Sequence, residues 1–252
     1  MLVLSLQHTL SKQSIYSLAS VDSVRNNRNP SIRSDQLESN LCSFTTFLSA
    51  FATFVKVAKL PSGVNYTANG VNLHKIVKDE FQSAYLSKGA EGAQERLVDI
   101  CSARRHMYQQ MSQSNIANCI DATTLLSKGF SASTAYIMKK FFERLNYQCG
   151  TAFTTYMNHM DKFMFANFNM TASFKICSKM LLEGLGATDS KVYCNTLQNY
   201  CLCQANIYLA ASNSMDLAYS SCELSRIGEV VTLPFCSTSE YFCSVELIRQ
   251  QN

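Results

Sequence analysis

Six of the chain's eleven cysteines fall between Cys194 and Cys243: Cys194, Cys201, Cys203, Cys222, Cys236 and Cys243. Cys194 and Cys201 stand seven residues apart, two turns of a helix, which puts both thiols on one face. Their Cα atoms would lie roughly 10 Å apart, beyond the ~7 Å that a disulfide spans, so these two cannot bridge each other. If oxidised, each must reach a different element. The segment, with Tyr193, Leu197, Tyr200, Ile207 and Leu209 around the thiols, then becomes a hub stapled to several neighbours. Three chemistries fit such a run: a disulfide framework in a secreted protein, buried free thiols in a reduced helical protein, or a metal site. The metal site fits worst. No C-x2-C pair occurs, Cys201-x-Cys203 stands alone and no His lies in the run. A redox C-x-x-C is absent as well, and no cofactor is expected.

The rest of the chain decides what the cysteines staple. At 252 residues it is long enough to bury a core, and with 47% hydrophobic and only 16% charged residues it is not disordered as a whole. Nine Gly and three Pro compare with roughly 18 and 13 at average usage. Helices tolerate neither residue inside and turn-rich β folds need both, so the scarcity predicts an all-α chain. The net charge of +4 is mild, and basic residues pair only at Arg104-Arg105 and Lys139-Lys140, read here as solvated helix faces. No nucleic acid is expected as a partner.

Residues 1–35, polar and irregular, are expected to be a disordered leader; Met1–Leu4 is too short for a signal h-region. Residues 36–58 are an amphipathic helix or a signal h-region. Leu37, Leu41, Phe44, Leu48, Phe51 and Val55 form a seam that Phe47 and Phe54 widen, while Arg33 upstream and the small Ala50 and Ala52 would suit a cut. The uncharged stretch Leu41–Val55 is too short to span a bilayer, so no stable membrane span is expected. Cysteine parity bears on the choice: Cys42 is the only cysteine before Cys101, and a cut near Ala52 would leave ten, enough for five bridges. Those ten disulfide candidates are Cys101, Cys119, Cys149, Cys177 and the six of the run.

Residues 59–72 read as a loop, with Pro61, Gly63 and an Asn69-Gly70 turn, and 73–252 as a cysteine-rich helical domain. Asn65-Tyr66-Thr67 and Asn169-Met170-Thr171 are N-glycosylation sequons, at a frequency that chance would also give. Helical spacing recurs at Leu73–Tyr85 up to Gly89, at Leu97–Met111, at Ser131–Gly150 and at Phe153–Met164. It continues from a Thr171 cap to Leu185, and from a Thr188 or Asp189 cap into the cysteine-rich helix. Glu229–Pro234, β-branched and ending at a proline, reads as an extended connector, and the last helix as Ser239–Ile248. The fold class is therefore all-α, a disulfide-stapled bundle of about six to eight helices.

A search for catalysis finds none. His8, His74, His106 and His159 carry no metal-binding spacing, and Gly89-Ala-Glu-Gly92 lacks the order of a phosphate loop. A Cys–His pair such as Cys101 with His159 is only what many Cys and four His allow by number. The Met and aromatic residues of 136–168 read as core, although they also suit a carrier of small apolar ligands.

The phrases YCNTLQNYCLCQANIYLAAS…SSCE, LVDICSARRHMYQQM…CIDATTLL and LNYQCGTAFTTYMNHM, across about residues 95–243, resemble the nematode secreted cysteine-rich helical domains. That group includes the chondroitin proteoglycan 4 proteins and related domains of unknown function. The resemblance implies an extracellular, disulfide-linked helical module without established catalysis. Ser62-Gly63 is the only Ser-Gly and has no acidic flank, so glycosaminoglycan attachment is not expected here. The functional expectation is a secreted, non-enzymatic structural or interaction module whose partner is an extracellular protein or matrix component. The alternatives are a reduced intracellular helical protein, with or without a catalytic Cys, and the apolar-ligand carrier.

Overall fold

The computed structural model describes residues 42–184, 189–236 and 241–250, and among them every regular element is helical. The expected leader, 1–35, and the expected start of the last helix at Ser239 lie outside the described residues. Eleven α-helices are present there: α1 (Phe44–Val57), α2 (Leu73–Gln110), α3 (Gln113–Cys119), α4 (Ala122–Ser127), α5 (Ala132–Gln148) and α6 (Phe153–Asn158). They continue with α7 (Met160–Asn169), α8 (Thr171–Gly184), α9 (Ser190–Ser212), α10 (Met215–Val230), a 3-10 turn at Pro234–Cys236, and α11 (Val245–Gln250). The all-α, disulfide-stapled reading holds. The helix number exceeds eight because α3, α4, α6 and α11 are pieces of six or seven residues.

Side-chain caps set most boundaries. Asn72, Ser112, Asp121, Ser131, Asp189 and Ser214 each accept a hydrogen bond from a backbone N–H of the following first turn. Gly89 interrupts α2 with φ 64° and ψ −148°, a conformation open essentially to glycine alone. Gly92 then lets the two halves close on each other: a Cβ there would sit 2.4 Å from the Ala84 carbonyl oxygen. The glycine pair that fails as a phosphate loop is thus a hinge between two packed helical halves.

Two apolar clusters form the core, and α2 runs through both. Ala93 and Leu97 belong to the cluster built with α6–α10, while Ile100, Ala103 and Met107 belong to the one built with α1 and α3–α5. In the second cluster α1 buries Phe47, Phe51 and Phe54; Phe51 and Phe54 have ring centroids about 6 Å from Phe141 or Phe142 of α5, and Phe47 stacks on Phe51. This corrects the expected seam by one position: Leu48 is 39% exposed and Val55 only partly buried. Lys56 is the helix's only charge and lies in its last turn, and the larger aromatic stripe wins the core because it removes more apolar area from water. Phe44–Val57, within the stretch read as an amphipathic helix or a signal h-region, packs as a helix in this cluster.

Candidate functional site

Five disulfides are closed: Cys42–Cys119, Cys101–Cys149, Cys177–Cys203, Cys194–Cys236 and Cys222–Cys243, with Cα separations between 5.1 Å (Cys42–Cys119) and 6.0 Å (Cys222–Cys243). These separations suit the bond without backbone distortion. As expected, Cys194 does not meet Cys201; it reaches the 3-10 turn after α10 instead. Cys203 ties α9 to α8, so α9 is stapled on two sides.

Two of the cysteine expectations need correction. Cys201, one of the ten candidates, is not bridged but free and buried, and Cys42, not among those ten, closes the longest loop. Helix geometry gives the reason. Residues 201 and 203 point about 200° apart around α9, so only one of them can face Cys177 on α8. Cys201 turns inward instead, toward Cys222, Arg226, Tyr241 and Cys243 around a cavity of about 10 Å³. Burial, and then the nearby Glu229 carboxylate, push its thiol far above the ordinary range. A buried, protonated thiol is a poor nucleophile. The Cys101–His159 pairing is also ruled out, since Cys101 is bonded to Cys149.

Beside Cys201 lies the charge cluster that local sequence reading missed. α5 is packed on two faces: Met138, Phe142 and Leu145 enter the core, while Lys140 and Arg144 on the far side meet α10. Lys140 Nζ donates to Glu229 Oε2 at 2.7 Å and Arg144 Nη2 to Glu229 Oε1 at 3.3 Å. All three side chains are less than a quarter exposed. The Lys139-Lys140 pair is therefore split, Lys139 reaching Asp121 at 2.8 Å near the surface and Lys140 turned inward. Burial alone would raise the Glu229 carboxyl; the charges of Lys140 and Arg144 and the Lys140 hydrogen bond outweigh it and hold the group below the usual carboxylate range.

Gly228 makes room for this arrangement. A Cβ there would fall 2.0 Å from Arg144 Nε, so the guanidinium lies directly against α10. The Glu229–Pro234 stretch expected to be extended is thus helical through Val230, because Glu229 must face α5. Arg226 closes the other side of α10 with a two-nitrogen grip on Glu223, whose Oε1 also accepts from the Cys243 backbone at 3.3 Å. The chemistry of the cluster is that of a buried, compensated ion network joining α5 to α10.

A groove of about 480 Å³ runs between α8 and α9, floored by Met170, Met180, Cys203 and Ile207, with Ser173, Asn199 and Asn206 at its polar points. Ile176, 65% exposed, continues the apolar strip on α8. His159 Nε2 lies 3.2 Å from the Ser214 hydroxyl, but that hydroxyl also accepts from Leu217 N as the α10 cap, and among the described residues no carboxylate is hydrogen-bonded to the ring. Among the described residues no group of His, Cys, Asp and Glu is arranged to hold a metal, and no helix is long and apolar enough to cross a membrane. Of the sequon asparagines, both are exposed, Asn65 in the α1–α2 loop and Asn169 in the last turn of α7. No family model, curated protein or solved structure matches the chain.

Proposed function

We propose that this protein is a secreted, non-enzymatic structural or interaction module acting on an extracellular protein or matrix component, made with a signal peptide and glycosylated. The observation that carries the reading is the pairing of ten of eleven cysteines in five bridges. Such a framework persists only where thiols are not kept reduced. The bridges join helices far apart in sequence, up to 77 residues, and so suit a domain that must hold its shape outside the cell. The protonation of Cys201 supports a non-catalytic role. The resemblance to nematode secreted cysteine-rich helical domains agrees with it. Because Cys42 is bonded to Cys119, cleavage that leaves this fold intact falls before Cys42.

The test is a thiol count on the native protein. Mass spectrometry after alkylation without reduction is expected to find no rapidly modified cysteine, and one, Cys201, once the chain is unfolded. Several freely alkylated cysteines in the native state would overturn the extracellular reading and restore the reduced, intracellular alternative.

The groove favours a second reading, a carrier of small apolar ligands, since its volume lies in the range of ligand sites. A fluorescent fatty acid is then expected to bind saturably at one site. The exposed Ala210 lies on the groove wall, and Ala210→Trp should abolish the binding by filling the space. The chain contains no other Trp, so the introduced ring reports its own occupancy. Binding unchanged in this variant would remove the carrier reading.

A further inference from the structure

The two sequons are built differently, and from that difference we infer that Asn65 carries an N-linked oligosaccharide and Asn169 does not. The inference rests on the extracellular reading above.

What distinguishes an acceptor asparagine is the hydroxyl two residues on. In the α1–α2 loop, Thr67 Oγ1 donates to Asn65 Oδ1 at 2.8 Å, and Thr67 N–H donates to the same oxygen at 3.2 Å. Both bonds fall on the carboxamide oxygen. The nitrogen, the atom to be glycosylated, has no hydrogen-bond partner among the described residues. The loop is held in this form by the middle residue: Tyr66 is 6% exposed, packs edge-on against Phe51 at 6.5 Å and donates its hydroxyl proton to the Pro61 carbonyl at 2.8 Å. With Tyr66 fixed in the core, Asn65 stays exposed beside Val64, which is exposed as well. A glycan there meets solvent and covers an apolar side chain.

The second sequon shares the exposure but not the hydrogen bonding. Asn169 ends α7 and Thr171 begins α8, so the three residues straddle a junction between two helices. Asn169 Nδ2 is already engaged, donating to the Phe165 carbonyl at 3.1 Å, and no hydrogen bond joins the Thr171 hydroxyl to the Asn169 carboxamide. Met170 between them lines the α8–α9 groove. A sugar on Asn169 would leave Nδ2 a single N–H, tied to the Phe165 carbonyl at the end of α7, and would set bulk over that groove.

The reaction is group transfer from a lipid pyrophosphate-linked oligosaccharide. The bond from Asn65 Nδ2 to the sugar anomeric carbon forms, and the bond from that carbon to the pyrophosphate oxygen breaks. The nitrogen gives up one proton to the transferring enzyme's base, and the lipid pyrophosphate leaves with the bonding pair; nothing is oxidised or reduced.

The experiment expresses the full chain in a eukaryotic secretory host, removes glycans with peptide-N-glycosidase in heavy-oxygen water, and maps tryptic peptides. Residues 60–75 form one such peptide and 163–175 another, each holding one sequon. Labelled Asp is expected at position 65 and unmodified Asn at 169. A single step in gel mobility should be lost in Asn65→Gln and in Thr67→Ala and kept in Asn169→Gln. Label at 169, or an unlabelled 65 in protein whose five bridges are intact, overturns the assignment. Should the bridges themselves be missing from the secreted material, it is the extracellular reading that fails. The wild-type peptide map gives the answer even if a variant is retained in the cell.

Discussion

Cys42→Ser is expected to lower the unfolding free energy by about 4–5 kcal/mol, the chain-entropy value for opening a loop of this length. The loop in question is the longest that any bridge closes, 77 residues from Cys42 to Cys119. It ties the start of α1 to the end of α3, so without it α1 is held only by its three buried phenylalanines and the contacts of its neighbours. Urea unfolding of wild type and variant measures the difference as a lower midpoint at similar slope. Cys201→Ala is the control, because it removes a buried sulfur and no bridge, and should cost only about 1 kcal/mol. Equal losses in the two variants would mean that the Cys42–Cys119 bond is absent from the native protein. Truncation at Ala52 removes Cys42, Phe47 and Phe51 together and is expected to give no cooperative transition at all.

Glu229→Gln should be equally damaging for a different reason. It keeps the shape of the side chain but leaves Lys140 and Arg144 buried against a neutral amide, and breaking a buried pair on one side costs about 3–5 kcal/mol. The sign with pH follows from the carboxyl held below its unfolded value of about 4.5. Such a group stabilises the fold above the unfolded pKa and loses that contribution as pH falls through the folded one. The gap between wild type and Glu229→Gln is therefore full at neutral pH and closes below the ordinary carboxylate range. Chemical unfolding across pH 2 to 8 measures it, and a gap that stays constant with pH would refute the ionised network. Removing all three charges together, as in Lys140→Met and Arg144→Met with Glu229→Leu, should recover much of the loss, since well-packed apolar side chains can replace a buried ion network at little cost.

Much of the helical layout was legible because it depends on neighbours a few residues apart. Asp189 and Ser131 cap where their side chains fit the next turn, and Gly89 breaks α2 where only glycine takes the backbone angle. The rule that Cys194 and Cys201 cannot join is likewise a matter of rise per residue. Reading stopped where two local answers were equally good. The α1 stripe containing Leu48 and the one containing Phe47 differ by a rotation of one residue, and only the partner rings of Phe141 and Phe142 select the second. Parity shows that one cysteine is odd but not which; the fold gives that place to Cys201 and pairs Cys42.

By itself, then, the sequence determined an all-α chain with its caps, breaks and a surplus of thiols, since periodicity, capping and the scarcity of Gly and Pro act over single turns of helix. Tertiary structure alone decided which thiols meet, that Lys140 and Arg144 lie inside, and that Glu229 belongs to a helix. Those outcomes turn on packing α5 against α10, which brings together charges 85 and 89 residues apart. No local pattern encodes a contact at that range, because its energy exists only once both helices have been placed.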